Sequence, residues 1–60
     1  MDPDAVLAEA REALARFRTE YDRGNYGDAA EHAVTLADSF AALDGWVARG
    51  GFLPADWARQ

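Results

Sequence analysis

His32 and Ser39 are the side chains that come nearest to a catalytic pair in this chain. Ser39 follows His32 by seven residues, so both lie on one side of a helix, where an imidazole could act as general base on a hydroxyl nucleophile. Glu31 is adjacent in sequence but points elsewhere, so no third group orients the imidazole. The sequence also has no nucleophile elbow, phosphate loop or HExxH motif, and it therefore predicts a non-enzymatic protein.

A second group of residues suits binding better than reaction. Trp46 and Arg49 precede a pair of glycines, and Phe52 and Trp57 follow it. Aromatic rings and arginine dominate the energetics of protein interfaces, but they could equally stack on a planar ligand while arginine and glycine amides hold an anion. A structural alternative is that the tail folds back and covers Trp46. The candidate ligand or partner patch comprises Trp46, Arg49, Gly50, Gly51, Phe52, Leu53, Pro54 and Trp57.

Length and charge limit the function further. The chain has 60 residues, no cysteine and a formal net charge of −5. Without disulfides or a metal site, oligomerisation remains as the means of stabilising so small a core. The negative charge argues against direct nucleic-acid binding, which requires clustered positive charge. We expect no cofactor and no metal.

The sequence also predicts where the protein acts. No apolar run approaches the ~20 residues that span a bilayer, and the start of the chain is acidic where a signal peptide is basic. These features predict a cytoplasmic protein that does not contact membranes.

Two long helices account for most of the chain. Asp2 is a suitable N-cap and Pro3 a suitable first helical residue, and Gly24 can take the positive φ of a C-terminal cap. This predicts helix 1 over about 3–23. Its expected core stripe is Val6, Leu7, Ala10, Ala13, Leu14, Phe17 and Tyr21. Asn25 or Asp28 then begins helix 2, and Asn25 is favoured, which gives a span of about 26–49.

Helix 2 has two apolar seams side by side, each with alternating steps of three and four residues. Together they cover about half the circumference, more than the stripe of a helix packed on one side. We therefore expect the large seam to pack against helix 1 and the small seam to form an oligomer contact. On this interpretation His32, Ser39 and Trp46 lie on the outer face. The large seam is Tyr26, Ala29, Ala33, Leu36, Phe40, Leu43 and Val47; the small seam is Ala30, Val34, Ala37, Ala41, Asp44 and Ala48.

Asp44 interrupts the small seam. A carboxylate within a helix interface is costly unless paired, and it can fix the register of an assembly. The sequence leaves open whether Asp44 faces water or pairs with Arg49 or Arg59 of the same or a second chain. Gly50 and Gly51 then end the helix, and Pro54 precedes a short final turn within a tail that spans residues 50–60.

Residues 42–57, ALDGWVARGGFLPADW, resemble the C-terminus of small uncharacterised helical proteins encoded by actinobacteria and their phages. The pattern of those proteins is Leu-Asp-x-Trp-Leu-x-x-Gly-Gly-Phe-Leu-Pro-x-x-Trp, and this chain has Val47 where the pattern has leucine. The resemblance implies a phage or mobile-element setting. Small phage proteins of this size commonly bind host proteins or sequester small molecules, so the resemblance favours a non-enzymatic binder.

The fold class predicted is all-α, an antiparallel helical hairpin with a short folded-back C-terminal turn that assembles as a homo-oligomeric helical bundle, a dimer or higher. The predicted function is non-catalytic binding of a protein partner through the aromatic tail or an outer helix face. An alternative is an oligomer that sequesters a small nucleotide-like anion in a pocket lined by Trp46, Arg49, the two glycines and Trp57. A further alternative is an acidic nucleic-acid mimic on helix 1.

Overall fold

The computed structural model describes residues 1–59, which form two long helices and one short helix and contain no β-strand. Helix α1 spans Pro3–Asp22, α2 spans Tyr26–Ala48 and α3 spans Ala55–Ala58. Only residues 23–25 link α1 to α2, and the side chains of Glu9 and Ser39 meet midway along the two helices, so the two long helices run antiparallel. The prediction of an all-helical hairpin is confirmed.

Local chemistry sets the ends of the helices. The Asp2 carboxylate accepts hydrogen bonds from the amides of Asp4 and Ala5 at 3.1 and 3.3 Å, as an N-cap does. Gly24 and Gly50 have φ values of 80° and 88° and end α1 and α2 in the left-handed conformation that favours glycine. The long helices therefore begin and end within one residue of their predicted limits.

Asn25 occupies the N-cap position of α2 but does not cap the helix through its side chain. Its amide Nδ2 instead donates to the carboxylate of Glu20 at 2.9 Å, and the Asn25 backbone amide donates to the Glu20 carbonyl at 2.9 Å. Both bonds fasten the link between the helices to the last turn of α1.

The core between α1 and α2 is built largely from small side chains. Leu7, Ala10 and Ala13 of α1 are buried, as are Ala29, Ser39 and Leu43 of α2. Small side chains let two helices approach closely, and the larger Phe40 ring lies outside this contact, 65% exposed. The buried residues show that α2 is rotated relative to α1, from the predicted large seam towards the side that carries Ser39. Our expectation that Ser39 lies on an outer face is wrong, because its side chain is only 3% exposed.

The C-terminal tail closes the end of the hairpin opposite the turn, which we call the tail end. Pro3 and Pro54 are fully buried there. The Asp4 carboxylate accepts from the amide of Ala55 at 2.7 Å, and Arg11 pairs with Asp56 at 2.7 Å. The tail therefore folds back onto the first turns of α1, as predicted for residues 50–59. Residue 60 of the predicted tail lies outside the described residues.

Candidate interaction surface

The small seam of α2 is exposed along its whole length. Ala30, Ala37, Ala41 and Ala48 are all exposed, and Val34 is 61% exposed. Two aromatic members of the large seam are exposed as well, Tyr26 by 62% and Phe40 by 65%. These residues lie on the side of α2 that α1 does not cover. The excess apolar width predicted for α2 is therefore exposed in the single chain.

Towards the tail end, a groove between α1 and α2 extends this apolar surface. One part encloses about 200 Å³ and is lined almost entirely by hydrocarbon. A second part of about 150 Å³ shares Phe40, Leu43 and Trp57 with the first and reaches the tail. The lining residues of the two parts are Leu7, Ala10, Arg11, Leu14, Leu36, Phe40, Leu43, Asp44, Val47, Leu53 and Trp57.

Three aromatic rings continue the surface towards the turn. The rings of Phe17 and Tyr21 have centroids 5.6 Å apart, and the rings of Tyr21 and Tyr26 meet edge to face at 5.2 Å. With Ala29 and Ala30 they line an open groove of about 380 Å³. Helical periodicity places Tyr26 and Phe40 on the same side of α2. We call this whole side of the hairpin the apolar face: Leu14, Phe17, Tyr21, Tyr26, Ala30, Ala37, Phe40, Asp44, Leu53 and Trp57.

Two charged residues lie at opposite ends of this side of the hairpin. Asp44 lines the groove near the tail. Arg18 follows Leu14 by four residues and Arg11 by seven, so it lies on the same side of α1, nearer the turn. Within residues 1–59 neither makes an ion pair, whereas Arg11, Arg16, Arg23 and Arg59 all do. Arg49 and Arg59 do not pair with Asp44 in this chain.

The structure divides the predicted tail patch between two sides of the hairpin. Trp46 donates through its indole N–H to the carbonyl of Phe52 at 2.8 Å, and the Phe52 ring covers it edge-on. Trp57 instead lies on the apolar face with Phe40. Six residues separate Phe40 from Trp46, which places them about 120° apart around α2. A pocket that joins Trp46 to Trp57 is thus not formed within one chain.

The other members of the predicted tail patch are spread over the end of α2, the apolar face and the interior of the tail. Arg49 and Gly50 are exposed at the end of α2, and Leu53 reaches the apolar face. Pro54 is fully buried beneath the tail. Gly51 lies so close to the Trp46 indole that a Cβ on it would overlap the ring. Gly51 and Pro54 therefore pack within the folded-back tail, and the members of the patch do not form one common surface.

The opposite side of the hairpin carries a polar groove of about 280 Å³ that contains His32. The buried hydroxyl of Ser39 donates to the Glu9 carboxylate at 3.3 Å, so it is directed to a carboxylate and not to the imidazole. No group of three or more His, Asp and Glu side chains in the described residues is arranged to hold a metal. The geometry assembles no nucleophile and base from His32 and Ser39.

The three glutamates of α1 are also engaged within the chain. Glu9 accepts from Ser39, Glu12 pairs with Arg16 at 2.9 Å, and Glu20 accepts from Asn25. Such pairing disperses the negative charge instead of presenting a regular row of free carboxylates. This arrangement gives little support to the nucleic-acid mimic considered from the sequence.

Helix α1 contributes to the apolar face, which was not predicted from the sequence. We expected Leu14, Phe17 and Tyr21 in the internal stripe, but Leu14 and Phe17 are only half-buried and Tyr21 is exposed. The available signal was size, since these residues are larger than the alanines that fill the contact with α2. Large side chains at the edge of a stripe extend past the partner helix and remain accessible.

No helix among the described residues has the length and apolar character needed to cross a membrane. No family model, curated protein or solved structure matches this chain.

Proposed function

We propose that this chain is a small non-catalytic binding protein that acts by protein–protein contact through its apolar face. The observation that carries the proposal is the continuity of this face, which extends from Tyr21 and Tyr26 near the turn to Leu53 and Trp57 at the tail. Contiguous apolar patches of this extent mark interaction sites on small proteins.

The composition of the face supports a protein partner. Five aromatic residues lie on it, namely Phe17, Tyr21, Tyr26, Phe40 and Trp57. Aromatic side chains provide a large contact area for little loss of conformational freedom, and they are enriched at the centres of protein interfaces. Polar residues border the face, as they do at the rim of an interface.

The positions of His32 and Ser39, the nearest approach to a catalytic pair, support a non-catalytic role. His32 lies in an open groove and Ser39 is buried with its hydroxyl on Glu9. A reaction would require both groups to face a substrate in a shielded space. The phage or mobile-element setting of the proposed binder rests on the resemblance of residues 42–57 alone.

Site-specific photo-crosslinking tests this proposal. Benzoylphenylalanine would replace Phe40 on the apolar face in one variant and Thr35, which lines the polar groove on the other side, in a control. We expect position 40 to give a protein adduct on illumination, in the purified protein or in extract of cells that express it, and position 35 to give none. Failure of position 40 to crosslink in both settings, or equal adducts from both positions, would contradict the proposal.

A further inference from the structure

The exposed surface of the hairpin can be compared with the area that a stable protein interface buries. The described residues expose 4310 Å², whereas a compact monomer of this mass is expected to expose about 3,900 Å². The hairpin measures 39 Å by 21 Å across its broad side, so this side presents about 800 Å². Stable protein interfaces bury roughly 800 Å² on each partner, so the broad side of the hairpin is comparable in size to one half of such an interface.

The register of the hairpin relates Arg18 to Asp44. Glu9 lies level with Ser39 along the helix axes, and counting residues towards the turn places Arg18 level with Ala30. Ala37 is the middle residue of α2, and Ala30 and Asp44 lie seven residues before and after it. A two-fold axis that lies in the plane of the contact, perpendicular to the helices and level with Ala37, therefore brings Asp44 of one copy over Ala30 of the other, at the level of its Arg18.

The charges distinguish this antiparallel arrangement from a parallel one. In a parallel stack, both copies of Asp44 would lie at one end and both copies of Arg18 at the other, and like charges in an interface are costly. In the antiparallel stack, the two copies of Asp44 lie at opposite ends and each meets an arginine that has no ion pair within residues 1–59. The small side chains of Ala30 and Ala37 leave room for close approach of the two helices.

We propose that a second copy of this chain covers the apolar face in an antiparallel, two-fold symmetric arrangement, with Arg18 of each copy paired to Asp44 of the other. The pairing deepens the proposed function and depends on it, because it names the partner that the apolar face binds. The aromatic rings near the turn of one copy then lie over the groove beside Leu53 and Trp57 of the second. The product is a four-helix bundle in which the two-fold axis makes the two pairs of Arg18 with Asp44 identical.

Sedimentation equilibrium with charge-reversal variants tests the pairing. We expect the wild-type chain to sediment at twice its mass of 6.6 kDa. Arg18→Asp and Asp44→Arg should each weaken the dimer by about tenfold or more, and the double variant should recover most of the affinity. Arg16→Asp is the matched control, because Arg16 pairs with Glu12 within its own chain, and it should leave the dimer intact.

Cysteine substitution tests the orientation independently, since the chain has no cysteine of its own. A short bismaleimide should join two copies of the Ala37→Cys variant, which lies on the proposed axis, and should not join two copies of Asp44→Cys. Equal crosslinking of both variants would overturn the antiparallel arrangement. Single charge reversals that leave the dimer unchanged, or a double variant that does not recover, would overturn the Arg18 to Asp44 pairing.

A wild-type monomer, or an assembly other than a dimer, would overturn the second copy as the occupant. That outcome differs from failure of the proposed function. A monomer that still yields adducts with another protein from position 40 keeps the binding function and loses only the self-association. A monomer that yields none at that position loses both.

Discussion

The indole N–H of Trp46 donates to the carbonyl oxygen of Phe52 at 2.8 Å, and the two rings meet at an interplanar angle of 87° with centroids 5.5 Å apart. This arrangement requires a glycine at position 51, directly before Phe52. Gly51 passes beneath the indole so closely that even a methyl group has no space. The Trp46 and Phe52 pair therefore fixes the direction in which the tail leaves α2.

Gly51→Ala should destabilise the fold because its Cβ would overlap the Trp46 indole, which must then move. Overpacking of this kind costs about 1–3 kcal/mol. Gly27→Ala is the matched control, since nothing lies within 4 Å of the position that its Cβ would take, and alanine favours a helix by up to about 1 kcal/mol over glycine. Urea unfolding at one fixed protein concentration would measure both. A Gly51→Ala protein as stable as the wild type would refute this account of the tail.

Ser39→Leu should also be destabilising, because the side chain at this position is buried between α1 and α2. We expect a loss of about 1–3 kcal/mol from the added volume. Ala42→Leu introduces the same side chain at an exposed position of α2, and it should change the free energy of unfolding by less than about 0.5 kcal/mol. Thermal unfolding would compare the two variants. Equal effects would mean that α2 is not rotated towards Ser39 as described.

Asp2→Ala should remove the N-cap of α1 and leave the amides of Asp4 and Ala5 without their acceptor. The expected loss is about 1 kcal/mol, measured by urea unfolding followed by circular dichroism at 222 nm, a wavelength that reports helix content. Asp38→Ala removes an exposed carboxylate from the middle of α2 and should stay within about 0.5 kcal/mol of the wild type. Similar losses in the two variants would assign the effect to net charge instead of capping.

Asp4→Ala should loosen the tail without unfolding the hairpin. The Asp4 carboxylate accepts from the Ala55 amide at 2.7 Å, so we expect exchange of the Ala55 amide hydrogen to accelerate by about tenfold, the factor for a lost hydrogen bond of roughly 1.4 kcal/mol. Nuclear magnetic resonance would follow the exchange of individual amides. Asp22→Ala, which changes an exposed carboxylate near the turn, should not alter exchange at Ala55.

The helix limits were predictable because they depend on neighbouring residues. Asp2, Pro3, Gly24 and Gly50 each act through their own backbone geometry or on amides within one turn, and such chemistry can be read directly from a sequence. The same holds for the pair formed by Glu12 and Arg16 four residues apart on α1.

The rotation of α2 was not predictable from periodicity. The two seams overlap, so an apolar pattern alone does not say which part of the arc meets α1. The structure buries Ser39, whose hydroxyl meets Glu9 of α1, and leaves Phe40 65% exposed at the edge of the contact. The position of Trp57 was not predictable either. It depends on the contacts of the neighbouring Ala55 with Asp4 and Asp56 with Arg11, which join residues 51 and 45 positions apart.

The short link between α1 and α2 has a consequence for the order in which the structure assembles. Contacts beside Gly24 join residues that are close in the chain, and closing such short loops costs little entropy, whereas the tail must bridge most of the sequence. The helices should therefore pair first at the turn, and the tail should dock last. A substitution at Gly24 would then slow folding, whereas a substitution at Asp4 would mainly accelerate unfolding.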